Sequence, residues 1–539
     1  MGIKKIFQQF FWIVLFLLLA SVVCMGSLVV INTVSSDKGR TDGIRIQSTD
    51  QSGKDQMPEV MFLHDLHTEA LRGKDCSTCH LKYERGQYKF RFMRTTDFDY
   101  DVNMTVYHEN CIGCHNRMKA EGKLAGPNTG NCRACHNQES DWVSSWQNLD
   151  FDKSLHYRHV SSKTIKPIAM DQKDNCGACH HEFNQKTRET VYVPGKEGAC
   201  QYCHLENDTK EARSSQTVTH ESCLNCHLSM KAKKVRQTGP IDCDGCHSID
   251  MQKKIKVIES VPRIQRKQPD AVLLATAFNK AIAKGKDAQL SISSVAFNHK
   301  VHEESSKSCK NCHHASLEKC SSCHTTTGDK KGSFITLEKA MHATKENQSC
   351  VGCHTKSQQK NDCAGCHSQM TISTIDKKGC QLCHSIAMTA DKRFPIKSDD
   401  QAKLAQTAID NRKMPPIRYE TNDVPEKVSI EIMKKDFEAA EFPHRKIVDT
   451  LLAGLNQDSL GKYFHQDNNT MCQGCHHNSP QSVKPPKCVT CHSMTLQKAT
   501  DGRPGLKGAY HGQCIGCHNQ MGIKKPAATA CIECHKKKS

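Results

Sequence analysis

Apolar residues gather in one long run near the start of this chain and are scattered in short groups after it. Lys4 and Lys5 precede an uncharged stretch that extends to Ser36, and its apolar heart covers residues 10–32. A run of that length can span a bilayer, and its basic flank keeps the N-terminus in the cytoplasm and sends the rest of the chain outward. Residues 1–35 are therefore read as a signal peptide or an N-terminal membrane anchor. Val23 precedes Cys24 where a lipoprotein cleavage site calls for a small residue, so Cys24 is read as a passenger. No second apolar run of this length is present. Within residues 270–282, Leu273, Leu274, Ala277, Phe278, Ala281 and Ile282 recur at helical spacing and predict a helix. Residues 385–443 are polar and charged, with Pro415 beside Pro416, and read as a linker. The remaining short apolar groups predict a mainly α chain with much irregular structure and few, short strands.

Composition changes this picture by exposing a deficit. A chain of 539 residues suggests three or four domains, yet 37% apolar and 6% aromatic content is thin for cores of that size. One repeated segment supplies what is missing. Cys-x-x-Cys-His occurs sixteen times and uses every cysteine but Cys24. The paired cysteines are Cys76 and Cys79, Cys111 and Cys114, Cys132 and Cys135, Cys176 and Cys179, Cys200 and Cys203, Cys223 and Cys226, Cys243 and Cys246, Cys309 and Cys312, Cys320 and Cys323, Cys350 and Cys353, Cys363 and Cys366, Cys380 and Cys383, Cys472 and Cys475, Cys488 and Cys491, Cys514 and Cys517, and Cys531 and Cys534. The adjoining histidines are His80, His115, His136, His180, His204, His227, His247, His313, His324, His354, His367, His384, His476, His492, His518 and His535. This is the attachment signature of haem c: two thioethers to the porphyrin and an imidazole beneath the iron. A redox dithiol or half a zinc site does not require a histidine at the same place every time. A chain built this way has a core made largely of porphyrin.

The formal charge of +18 invites a nucleic-acid reading. Haem propionates and oxidised irons remove it, bringing the sum to roughly +2 when oxidised and roughly −14 when reduced. No nucleic-acid partner is expected. Lysines near exposed haem edges instead suit docking of a partner protein.

Fifteen histidines lie outside the motifs: His64, His67, His108, His156, His159, His181, His220, His299, His302, His314, His342, His444, His465, His477 and His511. They recur in a fixed order around the motifs, which marks an internal repeat. One copy runs from His156-x-x-His159 through four motifs to His247, with His181 doubled after the first motif and His220 before the third. The next runs from His299-x-x-His302 through four motifs to His367, with His314 and His342 at the matching places.

Each copy resembles a tetrahaem class III cytochrome c, a low-potential carrier whose irons bind two imidazoles. The resemblance implies His156 with His180, His181 with His204, His159 with His227, and His220 with His247. In the next copy it implies His299 with His313, His314 with His324, His302 with His354, and His342 with His367. The first copy, where Leu81 replaces a doubled histidine and one motif is absent, resembles the three-haem variant: His64 with His80, His67 with His115, His108 with His136. In the last, Ile447 stands where the second histidine of His444-x-x belongs. His465 is taken as its substitute, giving His444 with His476, His477 with His492, His465 with His518, and His511 with His535.

This leaves the motif ending at His384 alone. It is expected to have no distal histidine, with an open sixth position or a ligand such as Met370, Met388 or Met414. The expected layout is a leader (1–35), a three-haem unit (36–150), a tetrahaem unit (151–255), a helical linker (256–290), a tetrahaem unit (291–370), an isolated haem segment (371–390), a linker (391–440) and a tetrahaem unit (441–539). It resembles the sixteen-haem, high-molecular-weight branch of the class III cytochromes of sulfate-reducing bacteria. That resemblance implies a periplasmic electron carrier, not an enzyme, with sixteen covalently attached haem c groups, fifteen of them bis-histidine. Its implied donors are a small tetrahaem class III cytochrome and periplasmic hydrogenase, and its acceptor is a membrane-bound redox complex. The rival reading is a reductase of a small nitrogen or sulfur oxyanion at the His384 haem, with Asp376, Lys377, Lys378 and Lys392 nearby.

Overall fold

The computed structural model describes residues 40–46, 57–93, 100–137, 144–274, 293–369, 377–386, 398–412, 423–465, 470–494 and 502–538, except positions 129, 170, 210, 480, 481 and 483. The leader, with its apolar run 10–32 and Cys24, lies outside them. So do Met370, Asp376, Met388, Lys392, Met414, Pro415 and Pro416. Among the described residues no helix is long and apolar enough to cross a membrane. The chain divides into two compact units, Met1–Pro262 and Arg263–Ser539.

The first unit opens with strand β1 (Gly43–Ile46) paired antiparallel to β2 (Val60–Leu63), and the helix His64–Ala70 starts at the next residue. A second hairpin, β3 (His80–Lys82) with β4 (Tyr88–Phe92), lies against the helix Ser215–Ala232. Asn225 fastens it, accepting from Tyr88 N at 2.8 Å and donating to Tyr88 O at 2.9 Å. Arg91 and Asp208 form an ion pair there, each only 12% exposed. A third hairpin joins β5 (Glu182–Asn184) to β6 (Glu189–Val191). The helix Lys153–Val160 carries a cap that its sequence dictates: the Asp152 carboxylate accepts Leu155 N–H at 2.8 Å.

In the second unit β7 (Ala271–Leu274) pairs with β8 (Val295–Asn298), and β9 (Val428–Ile430) with β10 (Ala440–Phe442). The helix Ser398–Asp410 lies across β7 and β8. Ala271, Leu273, Ala296, Ile386 and Ala405 form the apolar cluster between them. Two expectations are corrected here. Leu273 and Leu274 belong to a strand, where Ala271 and Leu273 alternate inward at period two; the rest of the expected helix lies outside the described residues. The expected linker 391–440 holds a helix that covers this hairpin and most of a second hairpin. Helical spacing over 271–274 also fits a short strand, and only a pairing partner decides between them.

Among the described residues just eight apolar side chains are buried, most of them small. Such a core cannot hold units of this size, which agrees with porphyrin as the filling.

Candidate haem centres

Each motif is wound into a single helical turn. Cys76–Thr78, Cys176–Ala178, Cys200–Tyr202, Cys309–Asn311, Cys320–Ser322, Cys472–Gly474 and Cys488–Thr490 are 3-10 turns. In most of these the histidine N–H then donates to the first cysteine carbonyl, as from His180 to Cys176 O at 2.9 Å and from His324 to Cys320 O at 2.8 Å. One turn gathers two sulfurs and an imidazole on one side, as thioether attachment and iron ligation require. Other motifs sit in longer helices. Ser215–Ala232 carries His220 and the His227 motif, and Leu506–Met521 carries His511 and the His518 motif.

The histidines outside the motifs face motif histidines across gaps of one size. His64 faces His80 at 6.3 Å between ring centroids, His67 faces His115 at 6.2 Å, and His108 faces His136 at 6.3 Å. The next set is His156–His180 at 6.1 Å, His159–His227 at 6.5 Å, His181–His204 at 6.0 Å and His220–His247 at 6.0 Å. In the second unit His299–His313 lies at 6.4 Å, His302–His354 at 6.3 Å, His314–His324 at 5.8 Å, His444–His476 at 6.2 Å, His477–His492 at 5.9 Å and His511–His535 at 6.0 Å. Two metal–nitrogen bonds of about 2 Å, with the distance from each nitrogen to its ring centre, put such centroids about 6.3 Å apart. The residues therefore fit an iron between each pair.

Two pairs differ from expectation. His342 faces His384 at 6.1 Å and 17°, not His367. His465 faces His367 at 5.9 Å, not His518. His384 is thus not the imidazole without a partner; among the described residues no histidine ring faces His518. The segment expected to be isolated is packed into the unit before it. His384 Nδ1 donates to Ser293 O at 2.7 Å, and Ile386 N donates to Ser294 O at 3.2 Å beside β8. The motif inserted between the last two units is the one ending at His367.

Backbone carbonyls fix many of the rings. Nδ1–H of His67, His159, His220, His302 and His342 donates to the carbonyl four residues earlier at 2.7–2.9 Å. Motif histidines use distant carbonyls: His115 that of Pro127 at 2.6 Å, His227 that of Pro240 at 2.8 Å, His518 that of Pro526 at 2.9 Å. With Nδ1 holding the proton, Nε2 keeps the lone pair a metal needs. Burial lowers the pKa of His80, His247, His302, His313, His354, His367, His444 and His465, which favours the neutral, ligating form.

Several supporting residues escaped the sequence reading. Phe62 and Phe297 each lie two positions before a His-x-x-His and pack, tilted by 32° and 39°, against its second ring at 4.3 Å. Phe151 meets His159 at 5.2 Å, and Phe442 meets His444 at 5.8 Å. Gly126 and Gly239 precede the prolines whose carbonyls hold His115 and His227. A methyl group on them would fall 2.6 Å and 2.2 Å from the imidazole Cε1. The repeated Gly-Pro after a motif was the available signal.

The chain is similar to known proteins along most of its length. The model of the class III cytochrome C family matches residues 42–136, 275–384 and 456–536. A second model, for outer membrane cytochrome MtrC/MtrF-like domains II/IV, matches residues 103–217. The chain is 43% identical over 513 residues to the high-molecular-weight cytochrome c of Nitratidesulfovibrio vulgaris (Hildenborough), covering 93% of this chain and 92% of the relative. It is similar to the crystal structure of high-molecular-weight cytochrome c from Desulfovibrio vulgaris (Miyazaki F), at 39% identity and TM-score 0.77 over 94% of this chain and 100% of that one. The sixteen-haem cytochrome from Desulfovibrio gigas gives 36% identity and TM-score 0.80 over 93% and 99%. With its motifs, its repeated helices and its facing imidazoles, the chain belongs to the class III cytochrome c family, as a periplasmic multihaem electron-transfer protein of the sixteen-haem, high-molecular-weight type.

Proposed function

We propose that this chain stores and relays low-potential electrons in sulfate respiration. It takes them from periplasmic hydrogenase, through a small tetrahaem class III cytochrome, and passes them to a membrane-bound redox complex. In this reading the apolar run 10–32 tethers it to the cytoplasmic membrane. The observation that carries the proposal is the set of fifteen imidazole pairs at iron-bridging spacing. Two nitrogen ligands leave no position for a substrate and favour low potentials. When bound, each haem supplies a one-electron couple. The chain's part is to orient imidazoles such as His67, His159, His220, His302 and His342 through Nδ1, to set each pair of rings face to face across an iron-sized gap, and to hold successive motifs close together.

The same reading assigns the centre without a second imidazole to His518. Its unit lacks the second histidine of the His-x-x-His helix, because Ile447 stands there, and His465 faces His367 instead. The reductase reading at His384 is not carried forward, since His342 faces that ring.

Electron paramagnetic resonance of the oxidised protein, followed through a reductive titration, tests the proposal. One high-spin centre among fifteen low-spin ones, bleaching over a wide low-potential range, is expected. Narrow bleaching at high potential, or no reduction by hydrogenase and tetrahaem cytochrome under hydrogen, would refute it.

A further inference from the structure

Four motifs of the second unit share the form Cys-x-Gly-Cys-His, and three of them, those ending at His367, His476 and His518, lie against one another. A methyl group on Gly474 would lie 2.9 Å from Cys366 Sγ. One on Gly365 would lie 2.9 Å from Cys517 Sγ and 2.6 Å from Met521 Cγ, and one on Gly516 would lie 2.5 Å from Gln369 Nε2. Carbon atoms do not approach so closely in a packed interior, so only glycine lets these motifs sit where they do. Gln513 ties the three together. Its Nε2 donates to Gly474 O at 3.2 Å, and its own carbonyl accepts from Gln369 Nε2 at 3.3 Å. The motif form alone does not produce such contacts. The same methyl on Gly113 would meet nothing nearer than Arg117 Nη1 at 3.6 Å, and on Gly352 it would meet the Glu346 carbonyl, not a second motif.

A second observation lies on the other ligand of the inserted motif. His465, which faces His367, comes directly after the helix Ser459–Phe464. Phe464 meets the His354 ring edge-on at 5.5 Å. The Tyr463 hydroxyl donates at 2.5 Å to Leu382 O, inside the motif ending at His384. Three consecutive residues therefore touch three motifs.

We propose that the inserted centre at His367 is the electron junction of this unit. Its cysteine side meets the motifs of His476 and His518, and the segment bearing His465 meets those of His354 and His384. Electrons exchanged between the two tetrahaem-like groups, including those reaching His518, pass through it. Gly365 and Gly474 are its positioning residues. Each step moves one electron, oxidising one centre and reducing the next, with no bond made or broken. The carbon monoxide assay rests on the assignment of His518 under Proposed function.

The experiment uses the full holoprotein, partly reduced under carbon monoxide, which holds the His518 centre reduced. A flash displaces the gas, and departure of the electron to oxidised neighbours is timed optically. Gly365→Val should slow that departure several-fold, and Gly474→Ala less; Arg72→Ala, at an exposed pair with Glu69, should leave it unchanged. Gln513→Ala removes the side-chain hydrogen bond to Gly474 O without adding volume, while the backbone carbonyl that accepts from Gln369 stays; it should also slow departure, so a folding defect in the valine variant does not decide the matter. The low-spin count and melting temperature are read on the same samples. Native departure rates in both Gly365→Val and Gln513→Ala, with the low-spin count intact, overturn the junction. A native protein that binds no carbon monoxide overturns the His518 assignment alone. The junction is then judged by freeze-quench reduction of the low-spin signals, which Gly365→Val should split into two phases and which a single native-like phase would refute.

Discussion

Ile447 holds the place that a histidine holds in three other units, and Ile447→His tests the assignment at His518 directly. In those units the second imidazole of His-x-x-His faces the third motif, or the second motif in the three-haem unit, with nearly parallel rings. His67 meets His115 at 6.2 Å and 22°, His159 meets His227 at 6.5 Å and 22°, and His302 meets His354 at 6.3 Å and 8°. Each is steadied by the carbonyl four residues back. At position 447 that carbonyl belongs to Pro443, which accepts Ile447 N–H at 3.1 Å and has a second lone pair to offer. A histidine there should close the sixth position of the His518 centre.

The size of the change comes from counting. One centre in sixteen motifs is about 6% of the haem, so the native protein should bind one equivalent of carbon monoxide and the variant close to none. If closure is worth about 3 kcal/mol, the open fraction falls to about one in 150 and apparent affinity for the gas falls by the same factor. Exchanging a half-buried isoleucine for imidazole costs about 1 kcal/mol in packing, which lowers Tm by about 4–8 °C in a unit of roughly 100 residues. Carbon monoxide titration and the high-spin resonance read the result. A folded variant that still binds one equivalent with native affinity refutes the reasoning.

His465→Ala should create a second high-spin centre at His367 and leave that of His518 unchanged, and His342→Ala should do the same at His384; a change confined to the His518 signal would restore the pairing by chain order. Gly239→Ala drives a methyl to 2.2 Å from His227 Cε1, so it should cost about 1–3 kcal/mol by overpacking, read as a lower Tm. Arg91→Ala leaves Asp208 buried without its ion-pair partner and should cost about 3–5 kcal/mol in urea unfolding, whereas Arg72→Ala, at an exposed pair with Glu69, should cost under about 1 kcal/mol. Burial raises the Asp42 pKa, but the Arg40 guanidinium, bonded to both carboxylate oxygens at 2.8 Å, outweighs it and leaves the value lowered. That stabilisation is present above the unfolded carboxylate pKa near ~4 and is lost as pH falls through the lower folded value. Asp42→Asn should therefore flatten the acid limb of the stability curve, and an unchanged limb counts against the pair.

The sixteen motifs were legible because attachment chemistry is local: five consecutive residues specify each one. The partner of each imidazole was legible only where a unit is uninterrupted, as from His156 to His247. It failed at His342, because two motifs come in succession after it and chain order does not say which one was inserted. The structure shows that the motif ending at His384 completes the unit, docked through Ser293 and Ser294 onto β8, while that of His367 leaves to meet Leu506–Met521. A clue to the centre proposed to be open was nevertheless present in the sequence. Ile447 breaks His-x-x-His, and the simplest consequence is that the third motif of its own unit lacks a ligand. Finding a substitute in His465 took away the one imidazole that the inserted motif needs and moved the apparent vacancy to His384. The strand at Ala271–Leu274 was hidden for a related reason, since its partner and its covering helix lie elsewhere in the chain. Physical proximity of distant segments decided each of these cases, and the proposed open centre rests on the departure from the repeat at Ile447, not on a count that tried to balance it.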